Sequence, residues 1–177
     1  MITESSFAKN KIIEYAKEIE SVFNKHRISN TKIYNLEISI FNGMFLIRKL
    51  IESHKISDHI SQKKIKIKAY KIIKKNESVN YKFNEKYYDV KNPQNKNISL
   101  KNLTNQFIHS FHCVMEPFSY AEEKDIIIYF CSDYDKGKEL YSILASQLKE
   151  EFYNIGNNYP QEMIIKKYEK SIDFEIK

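Results

Sequence analysis

Tryptophan is absent from the chain, and glycine and proline number only three each in 177 residues. A sandwich or barrel of short strands needs a turn signal about every ten residues, so this scarcity argues against an all-β protein and favours long helices with a few strands. Cysteine is scarce too. Cys113 and Cys131 stand far apart, with no CxxC pair and no histidine at ligand spacing, which argues against a zinc site. Each lies in an apolar, strand-like run, the setting of a buried free thiol in a reducing compartment. No apolar run approaches the roughly 20 residues that span a bilayer. The start, MITESSFAKN, has neither the apolar stretch nor the cleavage site of a signal peptide. The expectation is a cytoplasmic protein with no membrane partner.

What the chain does have is lysine. Lys and Arg total 29 against 23 Asp and Glu, a net charge of +6, and Lys far outnumbers Arg. The excess is spread out rather than gathered into a basic tail. A composition rich in Lys, Asn and Ile is also what an AT-rich bacterial genome produces, so the charge raises the expectation of nucleic-acid contact only slightly. Apolar residues make up 42%, with 13 Tyr and 11 Phe supplying the bulk, enough for a single domain over residues 1–177.

Periodicity organises the chain. Thr3 to Lys25 reads as a helix, capped by Thr3 or Ser5, with Phe7, Ile12, Tyr15, Ile19 and Val22 at helical spacing. HRISN interrupts it. A long segment from Asn30 or Thr31 to His54 is apolar nearly all round, the pattern of a central helix packed on several sides. KIKIKAYKII then alternates with the two-residue period of a half-buried strand. SVNYKFNEKYYDV reads as an irregular β segment, and KNPQNKN as a loop. HCVMEPF and KDIIIYFC read as strands, SDYDKGK as a turn, and Leu140 to Leu144 as a return strand. ASQLKEEFYNIGNNYP is a last helix, and SIDFEIK alternates weakly. The fold expected is α+β: a helix-dominated core of about four helices with a small, mostly antiparallel sheet at one side.

One stretch carries more chemistry than packing requires. SLKNLTNQFIHSFHCV, Ser99 to Val114, reads as a helix capped by Ser99, with Leu100, Leu103, Phe107 and Phe111 as one apolar stripe. Lys101, Asn105 and His109 follow one another at i, i+4 along its edge, with His112 one turn beyond. At such a border a histidine is partly desolvated yet reachable, as an acid or base must be. Taken singly, each residue also fits a hydrogen-bonded or solvated helix edge. Arg48 projects from an apolar face of the long helix, between Met44, Phe45 and Ile51, with Glu52 and Glu37 as available partners. It reads either as an orienting Arg–Glu pair or as a cation reaching toward His109. Asp133 and Asp135 fit turn chemistry better than a metal site, since no third carboxylate stands at EF-hand spacing. The tyrosines of KYYDV and YKF could stack bases, or could simply line a half-exposed strand. P-loop, GxGxxG, GxSxG and HExxH are all missing, which withdraws the usual support for ATPase, Rossmann, α/β-hydrolase and zincin readings.

TNQFIH, Thr104 to His109, resembles the signature of the HEPN superfamily of helical domains: an Arg, a polar residue that is often Asn, three residues, then His. Asn105 and His109 match, whereas Thr104 stands in the Arg position and cannot supply a cation. Active HEPN proteins are metal-independent ribonucleases in which two such helices meet across a dimer. The resemblance therefore implies His109 as acid or base on a ribose 2′-hydroxyl. Asn105, Lys101 and Arg48 would then position the phosphate. It implies an RNA-directed protein of a toxin or phage-defence type, either a ribonuclease or a degenerate relative, with no cofactor and no metal. Implied partners are RNA, a second copy in a homodimer, and a protein such as an antitoxin. The alternative is a non-catalytic accessory subunit that binds a protein partner. FLIRKLIESHKISD, NQFIHSF and SDYDKGKELYSI in that order are also similar to small bacterial proteins without an assigned activity.

Overall fold

The computed structural model describes residues 4–23, 28–74, 83–120, 123–168 and 171–177. Four helices of two turns or more and a short one lie among them: α1 (Ser5–Glu20), α2 (Asn30–Glu52), α3 (Asp58–Ser61), α4 (Leu100–Ile108) and α5 (Ala145–Gly156). The strands are β1 (Lys64–Lys71), β2 (Gln94–Ser99), β3 (Ser110–Tyr120), β4 (Glu123–Ser132), β5 (Glu139–Leu144), β6 (Met163–Tyr168) and β7 (Ser171–Ile176).

Five strands form one sheet in the order β2-β1-β5-β4-β3, every neighbouring pair antiparallel, while β6 and β7 form a separate two-stranded sheet. The expectation of a helix-dominated core with a small sheet at one side is therefore corrected. The larger sheet is the floor of the main core, and its other face is covered around β4 and the adjoining ends of β1 and β5, while Lys64, Lys66 and Lys68 of β1 stay exposed. Ile65, Ile67 and Ala69 of β1, Ile126, Ile128 and Phe130 of β4, and Tyr141 and Ile143 of β5 pack against the helices. Alternate residues Tyr70, Tyr129, Cys131 and Leu140 build a second cluster on the opposite face, beneath Phe83, Tyr87, Tyr88 and Val90. β4 has apolar residues on both faces, as a strand covered on both sides does.

Two segments of the sheet region differ from expectation. The expected loop KNPQNKN runs from its fourth residue into the edge strand β2, whose outer side and free edge meet solvent and so need no apolar alternation. The region 83–90 forms only a 3₁₀ turn (Glu85–Tyr87) and one bridge between Ile72 and Tyr88. The earlier part of that proposed β segment, including Tyr81 of YKF, lies outside the described residues, as do Thr3, Lys25 and the start of HRISN.

The helix ends follow local chemistry. Glu4, not Ser5, caps α1: its carboxylate accepts the Ser6 N–H at 2.9 Å. Ser29 caps α2 by accepting from Lys32 N. α2 closes on His54, whose left-handed φ of 55° lets Lys55 N donate back to the Leu50 carbonyl at 2.9 Å. This helix is not enclosed all round. Leu36, Ile40, Met44, Ile47 and Leu50 are buried, but Tyr34, Ile38 and Phe45 stand exposed on another face. Gly43 lies so close to the Phe152 ring of α5 that a methyl there would overlap it. No helix among the described residues is long and apolar enough to cross a membrane.

Candidate functional site

The N-terminal half of the proposed polar helix forms as expected, with Ser99 Oγ accepting from Asn102 N at 3.2 Å. Its buried face is Leu100, Leu103, Thr104 and Phe107. Thr104 is fully buried and its hydroxyl donates to the Lys101 carbonyl at 2.8 Å. The position that holds Arg in the HEPN pattern thus points into the core, where an unpaired cation would be costly.

The helix stops at Ile108, so the polar line does not continue to His112. His109 is the C-terminal cap and is exposed, and its carbonyl accepts from Asp133 N at 2.9 Å, fastening the helix end to the β4–β5 turn. A bulge between Ser110 and His112 then shifts the register of β3. Phe111 leaves the apolar stripe for the far side of the sheet, and His112 is buried there against Phe83 and Phe111.

A cleft of about 580 Å³ opens where α4 passes over the sheet. Asn102, Asn105 and Gln106 of α4 form one wall with His109 at its end. Ser132, Asp133, Tyr134 and Asp135 of the β4–β5 turn form another, and Lys96, Ile98 and Tyr141 contribute from the sheet. Asn105 and His109 are thus brought together. Arg48 stands behind them: its Nη1 donates to Asn105 Oδ1 at 2.6 Å and its Nε to Glu52 Oε1 at 2.6 Å. The expected pair of Arg48 with Glu52 is present, whereas its other bond ends on Asn105 and Arg48 is not among the residues lining the cleft. Hydrogen bonds from Lys49 and then Arg48 hold the Glu52 carboxyl at about 2, well below its ordinary range. Lys101 is exposed and does not line the cleft.

Gln106, Lys96 and Tyr141, which the sequence pattern did not single out, complete the cleft beside Asn105, His109, Asp133 and Asp135, which it did. Gln106 accepts the Ser132 N–H at 2.8 Å and donates to Asp135 Oδ2 at 2.5 Å, so one amide holds the β4–β5 turn against α4. Lys96 donates to Glu139 at 2.5 Å and to the Tyr141 hydroxyl at 3.2 Å, and that hydroxyl donates to Glu139 at 2.9 Å. Burial, then the bond to Glu139, drives the Tyr141 pKa upward, so the phenol stays a donor. The bond from Lys96 holds Glu139 low. Asp133 is engaged by Lys136 at 2.7 Å. No periodicity marks these residues, because the contacts join elements far apart in the chain.

Among the described residues no group of three His, Cys, Asp or Glu side chains gathers to hold a metal ion. Asp135 closes its own turn, its N–H donating to the Ser132 carbonyl at 3.0 Å. Burial pushes the free thiols of Cys113 and Cys131 up to about 12 and about 11, so neither is a ready nucleophile. No protein-family model, no curated protein and no solved structure matches this chain.

Proposed function

We propose that the protein recognises single-stranded RNA by seating one unpaired base in the cleft beside α4, without cutting the strand. The observation that carries this reading is the cleft's hydrogen-bonding set. Asn102 and the N–H groups of Asn105 line the cleft beside Asp133 and Asp135, whose carboxylates keep lone pairs beyond those taken by Lys136 and Gln106, and the lysine of the sheet wall, Lys96, is already engaged by Glu139. A base edge offers N–H donors and ring acceptors that suit amides and carboxylates. A phosphate in the same place would meet two negative charges and cations already paired. Tyr134, 79% exposed in the turn wall, offers a ring for stacking, with the Lys138 ammonium 3.5 Å from its centroid. The match of Asn105 and His109 to the HEPN pattern favours RNA over other nucleic acids.

Recognition is preferred to cleavage for a chemical reason. Attack by a ribose 2′-hydroxyl needs a base, an acid and a cation around one phosphate. His109 offers one titratable group, Arg48 is held by Glu52 and Asn105, and Lys101 lies outside the cleft. Labelled single-stranded RNA incubated in a chelator separates the readings. Retained, base-dependent binding with intact RNA supports recognition; cleavage that His109→Ala abolishes would make the protein a metal-independent ribonuclease instead.

A second reading, an accessory subunit that binds a protein partner, is favoured by one observation. Tyr34, Ile38 and Phe45 are exposed on one face of α2, with half-buried Phe41 between them at i, i+4, i+7 and i+11. A stable dimer or copurifying protein lost on Phe45→Glu supports it; a monomer unchanged by that substitution removes it.

A further inference from the structure

The register of α1 places Lys9 on the helix's buried stripe with Ile12, Ala16 and Ile19, and it is only 1% exposed. A lysine so buried is ordinarily paired with a carboxylate. Here the ammonium lies 4.2 Å from the centroid of the Tyr159 ring, and among the described residues no carboxylate stands within ion-pairing distance of it. The nearest charges make this worse. Burial first, then the neighbouring Lys55, lower the Lys9 pKa, and Glu4 opposes them more weakly. Glu4 itself is turned to the Ser6 N–H as the helix cap.

Lys9 opens onto a cavity of about 240 Å³, separate from the cleft beside α4 and lined also by Ser5, His54, Lys55, Gln161 and Glu162. The left-handed backbone at His54, a conformation that glycine adopts at less cost, brings two consecutive basic residues, His54 and Lys55, to this wall. Glu162 is the one carboxylate of the lining and lies exposed. The balance is cationic, and its most buried member has an aromatic face but no counter-charge.

We infer that this cavity binds a small oxyanion, a phosphate or carboxylate group, which pairs with Lys9 and Lys55. The anion supplies the negative charge that the Lys9 ammonium lacks, through charge-assisted bonds stronger than those between neutral groups. Tyr159 covers the lysine, and the cavity's size limits the ligand to a free anion or to the anionic end of a small metabolite. This site is independent of the RNA reading, and neither stands or falls with the other.

The experiment titrates the full chain with inorganic phosphate and, separately, with acetate, at ionic strength held constant with sodium chloride. Binding is read by calorimetry and by the shift in melting temperature. Saturable binding of either anion is expected, and the stronger of the two tells a phosphorylated ligand from a carboxylated one. Lys9→Met, which keeps the side chain's length without its charge, is expected to fold and to bind at least about tenfold more weakly. Lys55→Gln, at a half-exposed position, weakens binding without disturbing the core. No binding of either anion by the wild type, or equal binding by both variants, overturns the inference.

Discussion

Arg48 and Asn105 are 57 residues apart in the chain and are joined by a 2.6 Å hydrogen bond. The bond ties α2 to α4 at the back of the cleft. It turns the Asn105 oxygen toward Arg48, which leaves the amide N–H groups as what this residue can offer a ligand. Because Glu52 holds the other side of the guanidinium, the arginine is a strut between helices before it is a phosphate clamp.

Asn105→Ala removes a hydrogen bond to a largely covered cation. The expected loss is about 1.5 kcal/mol, read as a lowered midpoint in urea unfolding. In a double-mutant cycle with Arg48→Ala, a coupling near zero would show that the bond contributes nothing to the helix pairing.

Gly43→Ala tests the contact between α2 and α5. The added methyl meets the Phe152 ring, which is fully buried and has no space to yield. Overpacking of this kind costs about 2 kcal/mol. A double variant with Phe152→Leu should recover part of that loss, and no recovery would place the strain elsewhere.

Lys9 makes stability depend on pH in a direction opposite to that of a salt-bridged lysine. Its folded pKa lies below the unfolded value of 10.5, so the unfolded chain binds more protons between the two. The cost of burying the charge is fully present below the folded pKa and is relieved as pH rises toward 10.5. Lys9→Met should therefore be more stable than the wild type near neutrality, in chloride buffer without oxyanions, by a margin that narrows as the medium becomes alkaline. A margin that is constant with pH would contradict a charged, unpaired Lys9.

The contact between Lys96, Glu139 and Tyr141 gives an acid-side prediction. Glu139 has a depressed folded pKa, so its stabilising contribution is present above the ordinary value of 4.5 and is lost as pH falls below it. Glu139→Gln should flatten the acid limb of a stability–pH curve. An unchanged limb would assign the acid loss to other carboxylates.

Some of this arrangement was legible in the sequence for identifiable reasons. The Lys–Ile alternation of β1, the Ser99 cap and the Leu100–Leu103–Phe107 stripe are local signals, and local signals survive folding. β2 was missed because a polar edge strand obeys no alternation, and the sheet was underestimated with it. His112 was misplaced because a helical period was carried past His109, where the chain turns into a strand and bulges. Asn105 and His109 were found by spacing, whereas Gln106, Lys96 and Tyr141 joined them only through contacts across the fold. The Arg48–Asn105 bond could not be read from either helix alone. Lys9 carried no signal beyond a lysine at the i−3 position of a buried isoleucine.

Fluorescence anisotropy shows whether the cleft takes an unpaired base. Short labelled single-stranded RNAs of each base are titrated at one fixed salt concentration with the wild type and with Asn102→Ala. Asn102 lines the cleft through an exposed side chain, and only its backbone is used in the helix cap, so the variant should fold normally. Binding should differ among the four bases and weaken about three- to tenfold in the variant for the preferred one. Binding that is equal for all bases, unaffected by the variant and abolished by salt would reduce the interaction to the charge of the surface and contradict base recognition.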